Sequence, residues 1–125
     1  MRELEFTIED DELNGKHLEV ENMIYYTSTH DNETLLEWTT KQKKSTKEKL
    51  LKRMNELGMK GRNLTEKLVS YALHRKEKLV VVSVQDLLCM NKTHRMNEPG
   101  LVNEVNWTFK LIDFKKLEKT LKRFY

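Results

Sequence analysis

The sequence predicts an α/β protein with parallel strands. Three observations carry that expectation. Residues 79 to 84, LVVVSV, are a continuous run of strand-forming residues. Residues 23 to 28, MIYYTS, are a second run that suits a pleated surface. Between them lie helical stripes with their own caps, and helices inserted between strands bring those strands together in parallel.

Taken in order, residues 2 to 8, RELEFTI, alternate. Leu4, Phe6 and Ile8 point one way, and Glu3, Glu5 and Thr7 the other, which is the period of a strand. Residues 9 to 22 read as a polar loop that turns at Asn14-Gly15. The strand at 23 to 28 follows. Glu33 to Lys44 reads as one helix. Ser45 then reads as an N-cap, with Glu48 three residues on completing a capping box. Leu50, Leu51, Met54 and Leu57 form an apolar stripe, and Gly58 closes that helix. Asn63 and Glu66 repeat the cap ahead of a stripe of Leu64, Leu68, Val69, Ala72 and Leu73. The run at 79 to 84 is apolar on both faces, so both call for a cover. The loop at 91 to 107 holds the only proline, Pro99. A last helix starts at Asp113 as N-cap. Phe114, Leu117, Leu121 and Phe124 line one of its faces, and lysines and Arg123 crowd the rest. That charge reads as a solvated helix face before it reads as a membrane signal.

Composition bounds the function. The 125 residues suffice for one domain with a modest core, and nothing divides residues 1 to 125 into repeats or linkers. Charged residues make up 34% and hydrophobic residues 38%, which is polar for a globule, but the apolar segments argue against disorder. The net charge of +3 is spread among interleaved acidic residues, so a nucleic-acid partner is not expected. Cys89 is the one cysteine and has no internal partner, which fits a reducing cytoplasm. The opening MRELEFTIEDDEL lacks a signal core, and no stretch approaches the ~20 apolar residues of a membrane span. Without a secretion signal, the Asn-x-Ser/Thr sequons at Asn32, Asn63, Asn91 and Asn106 carry no glycosylation reading. His17, His74 and His94 have no ligand spacing with a Cys or carboxylate set, so neither a metal nor another cofactor is expected.

The chemistry-bearing stretch is YYTSTHDNETLLEW, residues 25 to 38, where His30, Asp31 and Asn32 sit between a strand and a helix. On pattern alone two readings stand side by side. Asp31 caps the helix, or it does chemistry at a strand end. His30 is a buried structural histidine or a ligand-binding one.

Three islands then line up in order: YTSTHDNETLLEW (residues 26 to 38), VVVSVQDLLCMNKTHRMNEPG (residues 80 to 100) and the pair Asn106-Trp107. Together they resemble the C-terminal end of the amylomaltase family, the 4-α-glucanotransferases of glycoside hydrolase family 77. That family carries Tyr-Thr-Gly-Thr-His-Asp-Asn, a strand ending in Gln-Asp, an Arg-Met-Asn-x-Pro-Gly loop and an Asn-Trp pair. MRELEF also resembles the family's preceding strand, so the likeness runs through nearly the whole chain. It implies the C-terminal part of a TIM-type (β/α)8 barrel, incomplete in this chain, with residues 2 to 8, 23 to 28 and 79 to 84 as strands six, seven and eight. Barrel enzymes keep their chemistry at the C-terminal strand ends. His30 and Asp31 follow strand seven, and Gln85 and Asp86 follow strand eight.

The resemblance also implies roles. Retaining glucan transfer uses a nucleophilic carboxylate and an acid/base carboxyl roughly 5 Å apart. The family adds a third carboxylate that grips sugar hydroxyls in the transition state, and Asp31 matches it. His30 matches a neighbouring hydroxyl ligand, and Asn97 a contact for a more distant glucose. Gln85 and Asp86 are further substrate contacts at the rim, with Asp86 alternatively holding a backbone turn. Tyr25, Tyr26, Trp38 and Trp107 can stack on glucose, although core packing is the plainer role for Tyr25 and Trp38. Cys89 reads as a small hydrophobe.

Four departures stand out. The family's nucleophile and acid/base belong to strands four and five, which would lie upstream of Met1. Ser28 stands where the family has glycine, and residues 9 to 22 are shorter than the family's loop. Cys89 and the segment from Asn91 to His94 also differ from the family's Gly-rich turn. The expected function is therefore that of a 4-α-glucanotransferase segment. It would act on α-1,4-glucans and maltooligosaccharides when completed by the upstream barrel, and be inactive alone. The alternatives are a stand-alone, non-catalytic sugar-binding or interaction protein derived from it, and a basic helical interaction protein whose likeness is accidental.

Overall fold

The computed structural model describes residues 2–15 and 22–124. Three short strands form a parallel sheet in the order β1-β2-β3, from Arg2–Glu3, Ile24–Tyr26 and Leu79–Val81. Arg2 pairs with Tyr25, and Tyr25 with Val80, so the three strands stand in sequential order across the sheet. Helices α2 (Leu35–Lys41), α3 (Lys44–Glu56) and α4 (Leu64–Leu73) lie between β2 and β3 in the chain. Such a crossover is what parallel pairing demands.

The strand expected over residues 2 to 8 ends at Glu3. Leu4–Ile8 is helix α1, and Glu9–Leu13 continues it as a π-helical turn. Leu4 and Ile8 are fully buried while Phe6 is 73% exposed. The apolar pair that matters is thus four apart, on one helix face, and Phe6 breaks the apparent alternation. The loop expected over 9 to 22 is helical in its first part. Gly15 lies just beyond it at a φ of 69°, and residues 16 to 21, with His17, fall outside the described residues.

Two helix starts differ from expectation. Helix α2 begins at Leu35 behind Thr34, which with Glu37 forms the capping box. Ser45 does not cap α3; the helix starts at Lys44, one residue before it. The ends follow the sequence more closely. Past Glu56, Gly58 takes a φ of 73°, its N–H donates to Asn55 O (3.0 Å), and Met59 N–H donates to Met54 O (2.9 Å). That is a Schellman closure, which needs a left-handed residue where glycine stands. Asn63 caps α4 by accepting Glu66 N–H at 2.9 Å, and Asp113 accepts Lys116 N–H at 2.9 Å ahead of α6 (Phe114–Phe124).

The run at 79 to 84 is strand only to Val81, because Ser83 caps helix α5 (Val84–Leu87) by accepting Asp86 N–H. Its two faces are also unequal. Val80 packs on the core, whereas Leu79 and Val81 are 52% and 47% exposed. On α6, Leu117 and Phe124 reach the core with Thr120 buried, while Phe114 and Leu121 face outward. The core itself joins Leu4 and Ile8 to Tyr25, Leu35 and the buried faces of α3 and α4.

An ionic layer closes one end of this core. Arg75, with its side chain only 8% exposed, donates to Glu77 (2.9 Å) and Asp11 (3.2 Å), and its guanidinium lies 4.4 Å from the centre of the Tyr25 ring. Arg2 donates to Asp11 at 2.7 Å from β1. Burial pushes the Glu77 carboxyl up, but hydrogen bonds from Arg75 and from its own backbone, together with the charges of Arg75 and Arg2, more than offset this and hold Glu77 below the usual range. Removing Arg75 leaves two buried carboxylates short of a cation, so Arg75→Ala is expected to cost about 3 to 5 kcal/mol in a denaturant titration. A loss below about 1 kcal/mol would mean that the layer behaves like a surface pair.

Candidate functional site

The site forms where β2 and β3 end. Beyond Tyr26 the chain passes through Thr27 and Ser28 into a turn over Thr29–Asn32, in which Asn32 N–H donates to Thr29 O (3.3 Å) and Asp31 N–H to Thr29 Oγ1 (3.3 Å). Thr34 then starts α2. Its side chain accepts Glu37 N–H and its own N–H donates to Glu37 Oε2 at 2.8 Å. Capping therefore belongs to Thr34, and the carboxylate of Asp31 is left for other partners. The signal for this was in the sequence, as Thr34-Leu35-Leu36-Glu37 is a capping-box pattern.

Asp31 and His30 are exposed at the rim, with side chains 57% and 53% accessible. His30 Nε2 lies 3.2 Å from Asp31 Oδ2. Asn97 Nδ2 donates to Asp31 Oδ1 at 3.0 Å across 66 residues of sequence. Three of the expected site residues thus meet. A small open cleft beside them is lined by Ser28, Thr29, His30, Asn32, Gln85 and Arg95. Gln85 is mostly buried, and its Nε2 donates to His94 O at 3.2 Å.

Asp86 takes a different place from these four. It is fully buried and lies beneath the rim. Its Oδ2 accepts from Thr27 Oγ1 (2.5 Å) and from the Ser28 hydroxyl, and its Oδ1 accepts the Leu35 N–H (2.7 Å). Of the two expectations for Asp86, this is the geometry of the turn holder rather than of a sugar contact. One carboxylate ties the end of β2 and the start of α2 to the segment after β3. The Ser28 hydroxyl supplies one of the donors.

A second tie was missed in the sequence. Arg95 Nε donates to Glu37 Oε2 at 2.9 Å and fastens the Arg-Met-Asn loop to α2. Burial pushes the Glu37 carboxyl up, but Arg95 and the Thr34 N–H more than offset this and keep it below its ordinary value. Among the aromatic candidates, Tyr25 and Trp38 are buried, whereas Trp107 is 59% exposed with its ring 5.2 Å from that of His30. Burial pushes the Cys89 thiol up to about 11, which suits an inert hydrophobe. Among the described residues no three His, Cys, Asp or Glu side chains converge as a metal site, and no helix is long and apolar enough to cross a membrane.

Behind the rim lie several carboxyls. Glu3 accepts the Asn32 side-chain N–H. Glu5 is pushed up to about 7, first by burial and then by repulsion from Glu3, Glu33 and Asp86. The folded state holds the Glu5 proton more tightly than the unfolded chain, so ionising it costs stability as pH rises from 4.5 to about 7. Glu5→Gln is therefore expected to raise the melting temperature more at pH 7 than at pH 4.5. An equal effect at the two pH values would contradict the shift.

Comparison with known proteins identifies the architecture. The family model described as 4-alpha-glucanotransferase matches residues 1–115. The chain is 31% identical over 102 residues to the 4-alpha-glucanotransferase of Aquifex aeolicus, covering 79% of this chain and 20% of that protein. It is 26% identical over 109 residues to the 4-alpha-glucanotransferase of Streptococcus pneumoniae, covering 86% of this chain and 21% of that one. Its fold superposes on the amylomaltase from Streptococcus agalactiae in complex with acarbose with a TM-score of 0.76 and 25% identity, over 99% of this chain and 25% of that chain. The chain thus spans about one fifth of the length of the curated relatives it matches. With its parallel sheet, its helices and this match over most of its length, the chain belongs to the 4-alpha-glucanotransferase family, glycoside hydrolase family 77.

Proposed function

We propose that residues 1–125 supply the transition-state-stabilising side of a 4-α-glucanotransferase active site. The observation that carries this reading is the uncapped carboxylate of Asp31, presented at a strand end between His30 and Asn97. A partly exposed carboxylate with an imidazole and an amide beside it can hold several hydroxyls of one sugar ring. Contacts of that kind accelerate transfer when they tighten as positive charge develops on the ring. In this reading Asp31 is the transition-state stabiliser, His30 binds an adjacent hydroxyl, Asn97 reaches a further glucose and Gln85 completes the rim. Asp86 acts through the others by holding the loop.

The parallel order β1-β2-β3 supports placing these strands as six, seven and eight of a (β/α)8 barrel. Leu79 and Val81, exposed on β3, then face the barrel interior, and the completing partner is the segment with strands one to five. That segment would hold the nucleophile and the acid/base. The substrates are α-1,4-glucans and maltooligosaccharides, with no metal or other cofactor, and the acarbose bound to the Streptococcus agalactiae amylomaltase fits such a site. A cytoplasmic location belongs to the same proposal and suits the lone thiol of Cys89.

The test is reconstitution. Residues 1–125 alone should leave maltotriose unchanged on a chromatogram, and addition of the complementary barrel segment should produce longer and shorter maltooligosaccharides. In the reconstituted enzyme, Asp31→Asn should raise the barrier by about 3 kcal/mol, with the loss in turnover rather than in substrate binding. Transfer by the chain alone that vanishes in an Asp31→Ala variant would overturn the division of labour. Turnover of Asp31→Asn within a few-fold of the parent would remove Asp31 from the chemistry.

A further inference from the structure

Trp107 is held in a way that core packing does not explain. Its backbone has a φ of 65°, a left-handed conformation that bulky residues avoid. Its N–H donates to Met96 O at 2.5 Å, next to Asn97. The preceding Asn106 pins the loop from both sides: its Oδ1 accepts Glu98 N–H (3.1 Å) and its Nδ2 donates to Leu101 O (2.9 Å). These bonds force a strained backbone and yet leave the indole 59% exposed. Strain of this kind persists where the surroundings over-determine it, and such places cluster at functional sites.

What the strain achieves is a position. The indole is 5.2 Å from the His30 ring at a tilt of 45°. His30 adjoins Asp31, Asp31 accepts from Asn97, and the residue before Asn97 binds the Trp107 backbone. With the Met96 backbone as the link between Trp107 and Asn97, these contacts form a closed ring that presents three polar groups and one large apolar face. A pyranose has the same division: hydroxyls at its edge and a face of C–H groups. An exposed aromatic face beside hydroxyl-binding groups recovers, on binding, the apolar surface it otherwise leaves in water.

We propose that Trp107 is a sugar-stacking platform, on which one face of a glucose unit lies while Asp31, His30 and Asn97 hold its hydroxyls or those of the next unit. This inference rests on the glucan reading of the same site. It adds a residue that fixes the plane of the sugar, which hydroxyl contacts alone do not.

The test uses the whole chain and its two tryptophans, of which Trp38 is buried and Trp107 is exposed. In a Trp38→Phe background the emission reports Trp107 alone. Acarbose or maltoheptaose is expected to shift and quench that emission saturably. Trp107→Leu, which stays apolar but has no aromatic face, should weaken binding roughly ten-fold in calorimetry. Trp107→Phe should stay within a few-fold of the parent, and all the variants should melt alike. Binding by the parent with no change in emission would overturn the platform and leave the glucan reading intact. So would a Leu variant that binds as well as the parent, or a Phe variant as weak as the Leu one. A parent chain that binds neither sugar would overturn the platform, whereas the glucan reading is decided by the reconstituted enzyme.

Discussion

Asp86 is the group on which the presentation of the site depends. It is fully buried, yet its carboxylate receives two hydroxyls from the end of β2 and one backbone N–H from the start of α2. The turn carrying His30 and Asp31 runs between those two anchor points. A buried carboxylate is costly unless its oxygens are matched by donors, and three donors converge here. Loops are the usual carriers of chemistry because a scaffold can hold them from outside, and here the hold comes from the segment after the neighbouring strand. The arrangement also gives a physical account of Ser28. A glycine at that position would have no hydroxyl, so the serine adds a bond to Asp86 that a glycine could not supply.

The remaining ties work in the same direction. Arg95 fastens the Asn97 loop to Glu37 on α2, and Thr34 caps that helix so that Asp31 need not. Asn97 then closes on Asp31. Each element that approaches the site is attached to its neighbour by a charged or capped bond, and the groups left exposed are the ones suited to hydroxyls. At the opposite end, the ionic layer of Arg75, Asp11, Glu77 and Arg2 joins β1 to the segment between α4 and β3. The sheet is short, and these side-chain bonds supplement what few ladder bonds it has.

Much of this was legible in the sequence, for identifiable reasons. Asn63, Gly58 and Asp113 were readable because caps act locally and each needs a particular residue type. The parallel sheet followed from the order of runs. Residues 2 to 8 misled because Leu4 and Ile8 fit a helical period as well as a strand period, and only the outward Phe6 separates the two. The strand at 79 to 84 was read too long because Ser83 looks like a strand residue until it caps α5. Within the site, His30, Asp31 and Asn97 carry motifs, and they do meet. The burial of Asp86, the Arg95–Glu37 pair and the strained turn at Trp107 depend on contacts across 50 residues or more, or on a backbone angle, and no local pattern encodes them.

The hold of Asp86 on the loop can be measured by amide hydrogen exchange in the parent and in Asp86→Ala. If the carboxylate clamps both ends of the turn, the variant should exchange much faster at Leu35 and through the Thr29–Asn32 turn. The amides of α3, remote from Asp86, should keep most of their relative protection. Unchanged exchange at Leu35 and in the turn, together with an unchanged melt, would contradict the dependence of the site on Asp86.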